Sequence, residues 1–301
     1  MNKSNIGTLF AIIAAIISGF SIPLNKIFVV NLDPTIFTAV RSLLIGIIFF
    51  LISFYSSRFN FKNFKKISWK YLILIAIVGG SFAFLLFFNG LKLTTSGRGA
   101  FLQKTMPLYI TVLAFIFLKE RISKKYLYAL FLMFIGMLTI YLSQIPVSEL
   151  WSNPSFGDVL IIGATFLWAV ESVISKKCMI KGENNFVISF ARMFFGGLIL
   201  FAIVLLLGKL DLLLSLEMEQ VINIIISTLI LFGYVLFWYW SIKMINVSKA
   251  SAFLLLSPAI SLLLGALMLG EPIPILQLIG CALIVVGSYL LTNVKNETNY
   301  V

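Results

Sequence analysis

The sequence predicts an all-α integral membrane protein with ten transmembrane helices, arranged as two inverted repeats of five helices each. Two observations predict a lipid environment: 60% of the 301 residues are hydrophobic and only 11% are charged, whereas a soluble domain has about 25% charged residues. A third observation predicts helices. The apolar runs are nearly continuous over about twenty residues, the length that crosses the hydrocarbon layer, whereas strands of a membrane barrel would alternate apolar and polar residues.

Ten apolar segments account for most of the chain. They lie at 6–30, 35–56, 70–91, 98–118, 123–143, 157–177, 187–208, 220–242, 248–269 and 274–293. We expect the first to be retained as a span, because its apolar run continues past the small residues where a signal peptide would be cleaved. The connection 144–156 divides the chain into a first repeat, 1–146, and a second repeat, 147–301.

The short connections carry most of the positive charge, and its distribution predicts the orientation. With the N-terminus in the cytoplasm, sixteen Lys and Arg residues lie on the cytoplasmic side and four on the other. Cytoplasmic loops of membrane proteins carry an excess of Lys and Arg. We therefore expect a multi-pass protein of the cytoplasmic membrane with both termini in the cytoplasm. The net charge of +12 is thereby explained without nucleic acid, which it would suggest in a soluble protein.

An internal repeat is visible at an offset of 151 residues. Segment 90–123 aligns without a gap with segment 241–274. The residue pairs at this offset are Pro107 and Pro258, Glu120 and Glu271, Arg41 and Arg192, Gly46 and Gly197, and Gly136 and Gly287. Because each half has an odd number of spans, the halves enter the membrane in opposite directions, as in many secondary transporters with a site between the repeats.

These motifs resemble the drug/metabolite transporter superfamily, specifically the EamA-domain type, over almost the whole chain. The resemblance rests on the two five-span halves, on Arg41 and Arg192 in their second spans, and on a recurring Pro, apolar run and Glu. The motifs read Met106-Pro107 to Lys119-Glu120-Arg121, Ser257-Pro258 to Gly270-Glu271-Pro272, and Leu167-Trp168-Ala169. The chain departs from the family where a Trp is usual near Gly19 and where Lys119 replaces a Gly. The resemblance implies export or exchange of metabolites such as amino acids.

Ionisable residues at membrane depth are costly and usually functional. At ~1.5 Å per residue, Lys104 lies roughly 10 Å deep in the fourth span and Glu171 about 20 Å deep in the sixth. Neither is repeated in the other half, whereas a scaffold residue would be expected in both halves. We interpret them as a substrate or coupling pair, in which a zwitterion's carboxylate meets Lys104 and its ammonium meets Glu171. The alternative is a structural ion pair or two snorkelling side chains.

Further candidates are polar or aromatic. Ser21, Pro23 and Asn25 form a polar stretch in the first span, where a proline break would free carbonyls for a ligand; the alternative is a kink that neighbouring helices satisfy. Gln103 and Asn89 are further candidates in the outer half of the membrane. Trp168, Tyr234 and Trp238 could stack a ligand or seal a gate, or else only pack or form an interfacial belt.

Several residues are assigned no chemistry. Arg41 and Arg192 lie near a membrane face, where they could cap helix carbonyls or meet lipid phosphates. Glu120 and Glu271 end helices and are expected to brace a loop or a neighbouring helix N-terminus. Gly265, Gly280 and Gly287 allow close helix packing. We expect Cys178 and Cys281 to be free thiols.

The sequence lacks the residues that metal binding, nucleotide binding and enzymatic catalysis require. The sequence has no His and no metal-ligand cluster, no Walker-type phosphate loop and no nucleophile–base pair, so we expect no metal, no cofactor and no enzyme. The expected partners are a small-molecule substrate and the lipid bilayer, with a homodimer left open.

The predicted function is secondary transport, by alternating access, of small metabolites such as amino acids or related zwitterions. A proton-coupled exporter of other organic solutes, with Glu171 as the proton carrier, and a non-transporting membrane scaffold are the alternatives.

Overall fold

The computed structural model describes residues 2–29, 31–55, 68–144, 155–269 and 273–295. Every regular element in these ranges is a helix. Nine helical segments in these ranges are long and apolar enough to cross a bilayer, one of them being Gly97–Leu118, and Val247–Leu263 is a shorter apolar segment. The all-α membrane fold is therefore confirmed, whereas the count of ten spans stays a prediction.

The observed helices follow the predicted spans closely. In chain order they are α1 (Lys3–Val29), α2 (Pro34–Tyr55), α3 (Trp69–Leu93), α4a (Ser96–Gln103), α4b (Met106–Leu118), α5 (Lys124–Gln144), α6 (Phe156–Ile180), α7 (Asn185–Leu206), α8 (Met218–Met244), α9a (Val247–Phe253), α9b (Ser257–Leu269) and α10 (Ile275–Thr292). A short helix, Leu210–Leu214, joins α7 to α8. The predicted repeat boundary and Glu271 lie outside the described residues.

The outer surface of the bundle is rich in apolar side chains. Phe115, Phe131, Leu229 and Val285 are all more than half exposed. A soluble monomer rarely exposes large contiguous apolar patches. This surface is suited to contact with lipid chains.

The contacts between helices are the same when each helix is replaced by its counterpart five places along the chain. Helix α1 packs on α8, and its counterpart α6 packs on α3. In the same way α1 packs on α9b, and α6 packs on α4b. Helices α2 and α5 pack on their own counterparts, α7 and α10. The two halves thus make equivalent contacts, as the sequence repeat leads one to expect.

Glycines let the self-paired helices approach closely. A β-carbon at Gly46 of α2 would lie 2.5 Å from a backbone atom of α7, and one at Gly197 would lie 2.8 Å from the backbone of α2. Between α5 and α10, a β-carbon at Gly136 or Gly280 would lie 2.6 or 2.7 Å from the other's carbonyl oxygen, and one at Gly287 would lie 2.9 Å from a backbone oxygen of α5. Small residues at helix interfaces allow the close packing that holds helices together in lipid. The predicted packing role of Gly280 and Gly287 is confirmed, and the surroundings of Gly265 lie outside the description.

The fourth helix of each half is interrupted at the same point. Helix α4 breaks at Lys104 and Thr105, and α9 breaks at the 3-10 turn Leu254–Leu256. Each break lies just before a proline, Pro107 or Pro258. Proline cannot donate a backbone hydrogen bond, and its ring disfavours the helical conformation of the preceding residue. The repeated proline therefore explains the repeated break.

The expected proline break in α1 is wrong. Helix α1 continues through Pro23 from Lys3 to Val29. Pro23 cannot donate to the carbonyl of Gly19, one turn earlier, but the hydroxyl of Ser261 donates to it. Because a side chain from α9b satisfies the freed carbonyl, the helix can continue.

Two helices each contain a π-helical turn, Ala76–Phe82 in α3 and Ala191–Phe195 in α7. The two turns pack against each other. A β-carbon at Gly80 in the first turn would stand 2.0 Å from the carbonyl oxygen of Arg192 in the second. The contact therefore depends on glycine at position 80.

Candidate functional site

A polar cavity lies inside the bundle. Helices α1 to α4 and α6 to α9 supply its lining, and α5 and α10 supply none of the described lining residues. The space open to the centres of water molecules is about 80 Å³, several times the roughly 10–15 Å³ that one water requires. Both halves of the chain therefore enclose a space suited to a small solute.

Eight of the nine predicted site residues line this cavity: Lys104, Glu171, Trp168, Ser21, Asn25, Gln103, Tyr234 and Trp238. Asn89 is not among the lining residues, since its side chain is exposed and donates to the Leu85 carbonyl of its own helix at 2.8 Å. Its neighbour Phe88 lines the cavity, and successive residues point about 100° apart around a helix. The position of a residue along the sequence gives its depth in the membrane, but it does not show which face of the helix the residue occupies. The binding role of the other eight stays a prediction.

Glu171 and Arg192 form a buried ion pair in the lining. One carboxylate oxygen of Glu171 accepts hydrogen bonds from the Ser175 hydroxyl at 2.6 Å and from the Tyr239 hydroxyl. The other oxygen lies 3.6 Å from a terminal nitrogen of Arg192. The two residues are only 1% and 4% exposed, so neither charge is compensated by bulk water. The Glu171 carboxylate is therefore committed to protein groups.

The π turns of α3 and α7 bring this pair together. A β-carbon at Gly79 would lie 2.1 Å from the Glu171 side chain, so that only glycine leaves room for it. The Trp168 indole donates to the Gly79 carbonyl at 3.2 Å. Turns of this kind occur often at functional sites. Here they set the distance between a carboxylate on α6 and a guanidinium on α7.

Lys104 and Glu171 do not pair with each other, although both line the cavity. The Lys104 ammonium donates to the Ser18 hydroxyl at 2.7 Å, and the residue is 4% exposed. Glu171 has Arg192 as its cationic partner instead. Glu171 is therefore not a free carboxylate that could bind the ammonium group of a solute, as the zwitterion interpretation requires.

Arg41 is a third buried cation in the lining. One terminal nitrogen donates to the Ser227 hydroxyl at 2.8 Å and to the Asn25 side-chain oxygen at 3.3 Å. Its guanidinium carbon lies 4.7 and 4.8 Å from the ring centroids of Phe37 and Phe88. Its Nε and second terminal nitrogen have no hydrogen-bond acceptor among the described residues. Arg41 is thus a buried cation surrounded by neutral groups.

The interpretation that Arg41 and Arg192 meet lipid phosphates is wrong. Both are buried in the cavity lining. Arg41 lies seven residues into α2, roughly 10 Å along the helix axis, about as deep as Lys104. Their recurrence in both halves favoured a scaffold role, yet the rule that charges at membrane depth are functional applied to them equally. Ser227 and Tyr239 carried no sequence signal, because only the fold brings them to the charged groups.

The aromatic candidates provide flat apolar walls. Trp168 packs edge-on against Phe84, with ring centroids 5.3 Å apart. Tyr234 and Trp238 have nearly parallel rings, at 5° and with centroids 6.3 Å apart. All line the cavity. Whether they stack a solute stays a prediction.

Glu120 connects the two halves on the predicted cytoplasmic side. Its carboxylate accepts from the backbone N–H groups of Val247 at 2.8 Å and Ser248 at 3.2 Å. These donors begin helix α9a, where a negative charge is favoured by the helix dipole. The predicted role of Glu120 in bracing a helix N-terminus is confirmed.

Two ion pairs join elements on the predicted outer side. Arg98 in α4a lies 2.9 Å from Asp158 in α6, and Lys209 lies 2.7 Å from Asp33 in the α1–α2 connection. Burial raises the pKa of the Asp33 carboxyl, but hydrogen bonds from Lys209 and from the backbone amides of Ile36 and Thr35 outweigh it. The pKa of Asp33 therefore lies below its ordinary value.

Comparison with known proteins gives a consistent result. The EamA-like transporter family matches residues 5–142 and again residues 155–293. An uncharacterized transporter of Bacillus subtilis (strain 168), YyaM, is 28% identical over 278 residues, covering 91% of this chain and 89% of that protein. An uncharacterized transporter of Methanothermobacter thermautotrophicus is 27% identical over 297 residues, covering 95% and 85%.

A solved crystal structure has the same fold, with a TM-score of 0.71 at 16% identity, covering 97% of this chain and 98% of the other. The two matched segments together span most of the described residues. They coincide with the two halves that make equivalent helix contacts. The chain therefore belongs to the EamA-like transporter family.

Proposed function

We propose that the protein is a secondary transporter that moves a small carboxylate-bearing metabolite, in the class of amino acids and related zwitterions, across the cytoplasmic membrane by alternating access. The observation that carries the proposal is a charged cavity lined from both halves of a bundle with an apolar surface. Charges at membrane depth are costly and mark solute or ion paths. Membership in the transporter family supports transport over an enzymatic or scaffold role.

The proposed topology has ten spans in two inverted halves, with both termini in the cytoplasm. Helices α9a and α9b together would form the ninth span. The equivalent helix contacts of the two halves support this arrangement, and the excess of Lys and Arg on one side supports the orientation. Two similar halves in opposite orientation can exchange conformations, so that the cavity opens to one side as it closes to the other.

Proton coupling is a further part of the proposal, with Glu171 as the carrier. One oxygen of its carboxylate, 3.6 Å from Arg192, makes no hydrogen bond among the described residues. A proton bound to that oxygen would neutralise the carboxylate and release Arg192 to another anion. The same cavity would then serve a proton-coupled exporter of other organic solutes.

Solute flux in liposomes that contain the purified protein tests the transport proposal. Amino acids, organic acids and amines are measured with and without a pH gradient, against liposomes that lack the protein. We expect protein-dependent flux of at least one carboxylate-bearing solute. Flux of no solute in the panel would contradict transport.

The Glu171→Gln variant tests the proton carrier. Glu219→Gln is the matched control, because the Glu219 side chain is exposed. We expect Glu171→Gln, checked by gel filtration, to lose the effect of a pH gradient while the control keeps it; the Glu171→Gln/Arg192→Gln variant replaces it if the single variant aggregates. Unchanged transport that still responds to the gradient would rule out Glu171 as the carrier.

A further inference from the structure

The ionisable groups that line the cavity are unbalanced in charge. Three cations, Arg41, Lys104 and Arg192, and one carboxylate, Glu171, line it among the described residues. Glu171 is occupied by Arg192 and by two hydroxyl donors. Two buried cations therefore remain without a carboxylate, at a depth where uncompensated charge is costly.

Arg41 has donors to spare. A guanidinium carries five N–H donors, and only one terminal nitrogen of Arg41 has acceptors, both of them neutral. The rings of Phe37 and Phe88 attract the cation, but they do not accept conventional hydrogen bonds, and this attraction is weaker than the hydration the cation has lost. A carboxylate would meet the planar donor fork of Arg41.

Lys104 is similarly short of partners. Its ammonium carries three donors, and the Ser18 hydroxyl is its one acceptor among the described residues. Lys104 also lies at the interruption between α4a and α4b. Interrupted helices line the solute sites of many secondary transporters. The second cation is therefore held at a point suited to a solute contact.

Both cations contact helix α1, and the spacing of the two contact residues on α1 indicates the length of a solute that could meet both cations. Ser18 holds Lys104 and Asn25 holds Arg41, and these anchors are two helical turns apart, ~10 Å along the axis. A carboxylate carbon lies roughly 3.5 Å from a nitrogen that donates to the carboxylate. Subtracting both contacts from the ~10 Å between the anchors leaves roughly 3–4 Å between the two carboxylate carbons, a spacing that a short dicarboxylate such as succinate provides. A single carboxylate would reach only one cation.

We infer that the cavity binds a small organic dianion, a dicarboxylate of about the length of succinate, with one carboxylate at Arg41 and the other at Lys104. The inference rests on the proposed function, because it takes this cavity as the solute site. It replaces the contact of a solute ammonium with Glu171 by a second contact between carboxylate and cation. Both spare cations are then neutralised when the solute binds.

Ligand-induced thermal stabilisation of the detergent-purified protein tests this without requiring transport. The probes are succinate, its neutral diamide succinamide, the monocarboxylate propionate and the zwitterion alanine, all at matched ionic strength. We expect succinate to raise the unfolding temperature in a saturable way and the other three to have little effect. Absence of stabilisation by succinate, or equal stabilisation by propionate, would overturn the inference.

Charge-removing variants locate the two contacts. Arg41→Gln and Lys104→Met should each weaken succinate binding about 10- to 150-fold, while Arg41→Lys should keep part of the affinity. Lys92→Gln removes the same charge from an exposed side chain and should bind as the unmodified protein does. Unchanged binding in either Arg41→Gln or Lys104→Met would overturn the inference, and the probe series on the unmodified protein decides it if a variant does not fold.

Liposome flux separates this inference from the proposed function. Succinate binding without flux of any solute would support the dianion site and contradict transport. Flux of another solute without succinate binding would support transport and contradict the dianion site.

Discussion

At the scale of single residues, the cavity contains charges that depend on one another. Glu171 and Arg192 are both buried, and Glu171 is the only carboxylate among the described residues that line the cavity. Removing one partner of a buried pair leaves an uncompensated charge, which is more destabilising than losing the attraction itself. The pair is therefore expected to act as a unit.

We expect Glu171→Gln to lower the stability of the protein by about 3–5 kcal/mol, because Arg192 becomes an unpaired buried cation. Thermal unfolding of the purified protein measures the loss. The double variant Glu171→Gln/Arg192→Gln should be more stable than the sum of the two single effects predicts. Strictly additive effects would mean that the two side chains are not coupled.

Asp33 makes a pH-dependent contribution to the stability of the fold, because its pKa in the folded protein lies below its ordinary value. Such a group stabilises the fold above its unfolded-state pKa of about 3.9, and the contribution disappears as the pH falls through the lower folded-state value. We expect the stability difference between the unmodified protein and Asp33→Asn to be constant from roughly pH 8 to 5, to shrink as the pH falls below about 4, and to disappear only below the folded-state pKa. Unfolding temperatures across this range check it. Asp211→Asn, at an exposed position, is the matched control for the removal of a carboxylate.

Sequence reasoning could find those candidate site residues that are identified by their depth in the membrane alone. Lys104 and Glu171 stood out because charge is rare within spans, and both line the cavity. Asn89 and Arg41 show the limit, because the face of a helix and the partner of a charge depend on packing between helices distant in sequence. The Glu171–Arg192 pair therefore became visible only in the fold.

At the scale of helices, local backbone chemistry decides where the bundle departs from regular geometry. The prolines at the fourth helix of each half interrupt it, whereas Pro23 is accommodated because Ser261 satisfies the carbonyl it frees. A sequence shows the prolines, but not whether a neighbouring hydroxyl will reach the freed carbonyl. The spans were therefore predictable and the position of the break was not.

We expect Gly80→Ala to disrupt the contact between the two π turns. The added β-carbon would stand 2.0 Å from the Arg192 carbonyl oxygen, and such overpacking costs about 1–3 kcal/mol or more. Gly163→Ala is the matched control, because its β-carbon would make an ordinary contact at 3.5 Å and alanine favours the helix by roughly 0.5–1 kcal/mol. Thermal unfolding compares the two. Equal stability of both variants would contradict the close approach.

A stabilising change is expected at Lys119, which ends helix α4b in the left-handed conformation with φ of 55°. This conformation costs a residue with a side chain roughly 1–2 kcal/mol and costs glycine almost nothing. Lys119→Gly should therefore raise the unfolding temperature. Lys125→Gly, in helix α5, should lower it, because glycine costs a helix about 1 kcal/mol of stability. A destabilised Lys119→Gly variant would contradict the strain.

At the scale of the whole molecule, the repeat explains the architecture. The glycine pairs at an offset of 151 residues lie where α2 crosses α7 and where α5 crosses α10. The arginine pair at the same offset lines the central cavity. Sequence periodicity could reveal the two halves because their helices carry equivalent residues. The same comparison showed that Lys104 and Glu171 have no equivalents, but it could not reveal their partners, because these come together only in the assembled bundle.

Accessibility labelling of single cysteines from each side of the membrane tests most directly whether two inverted halves enclose this cavity. Cysteine is placed at the exposed positions Asn2, Lys119 and Lys295, and at Thr95 and Glu217, after Cys178 and Cys281, both free thiols, are replaced by alanine. The account predicts labelling of the first three only from the cytoplasm and of the last two only from outside. Labelling of Asn2 and Lys295 from opposite sides, or of Thr95 from the cytoplasm, would contradict it.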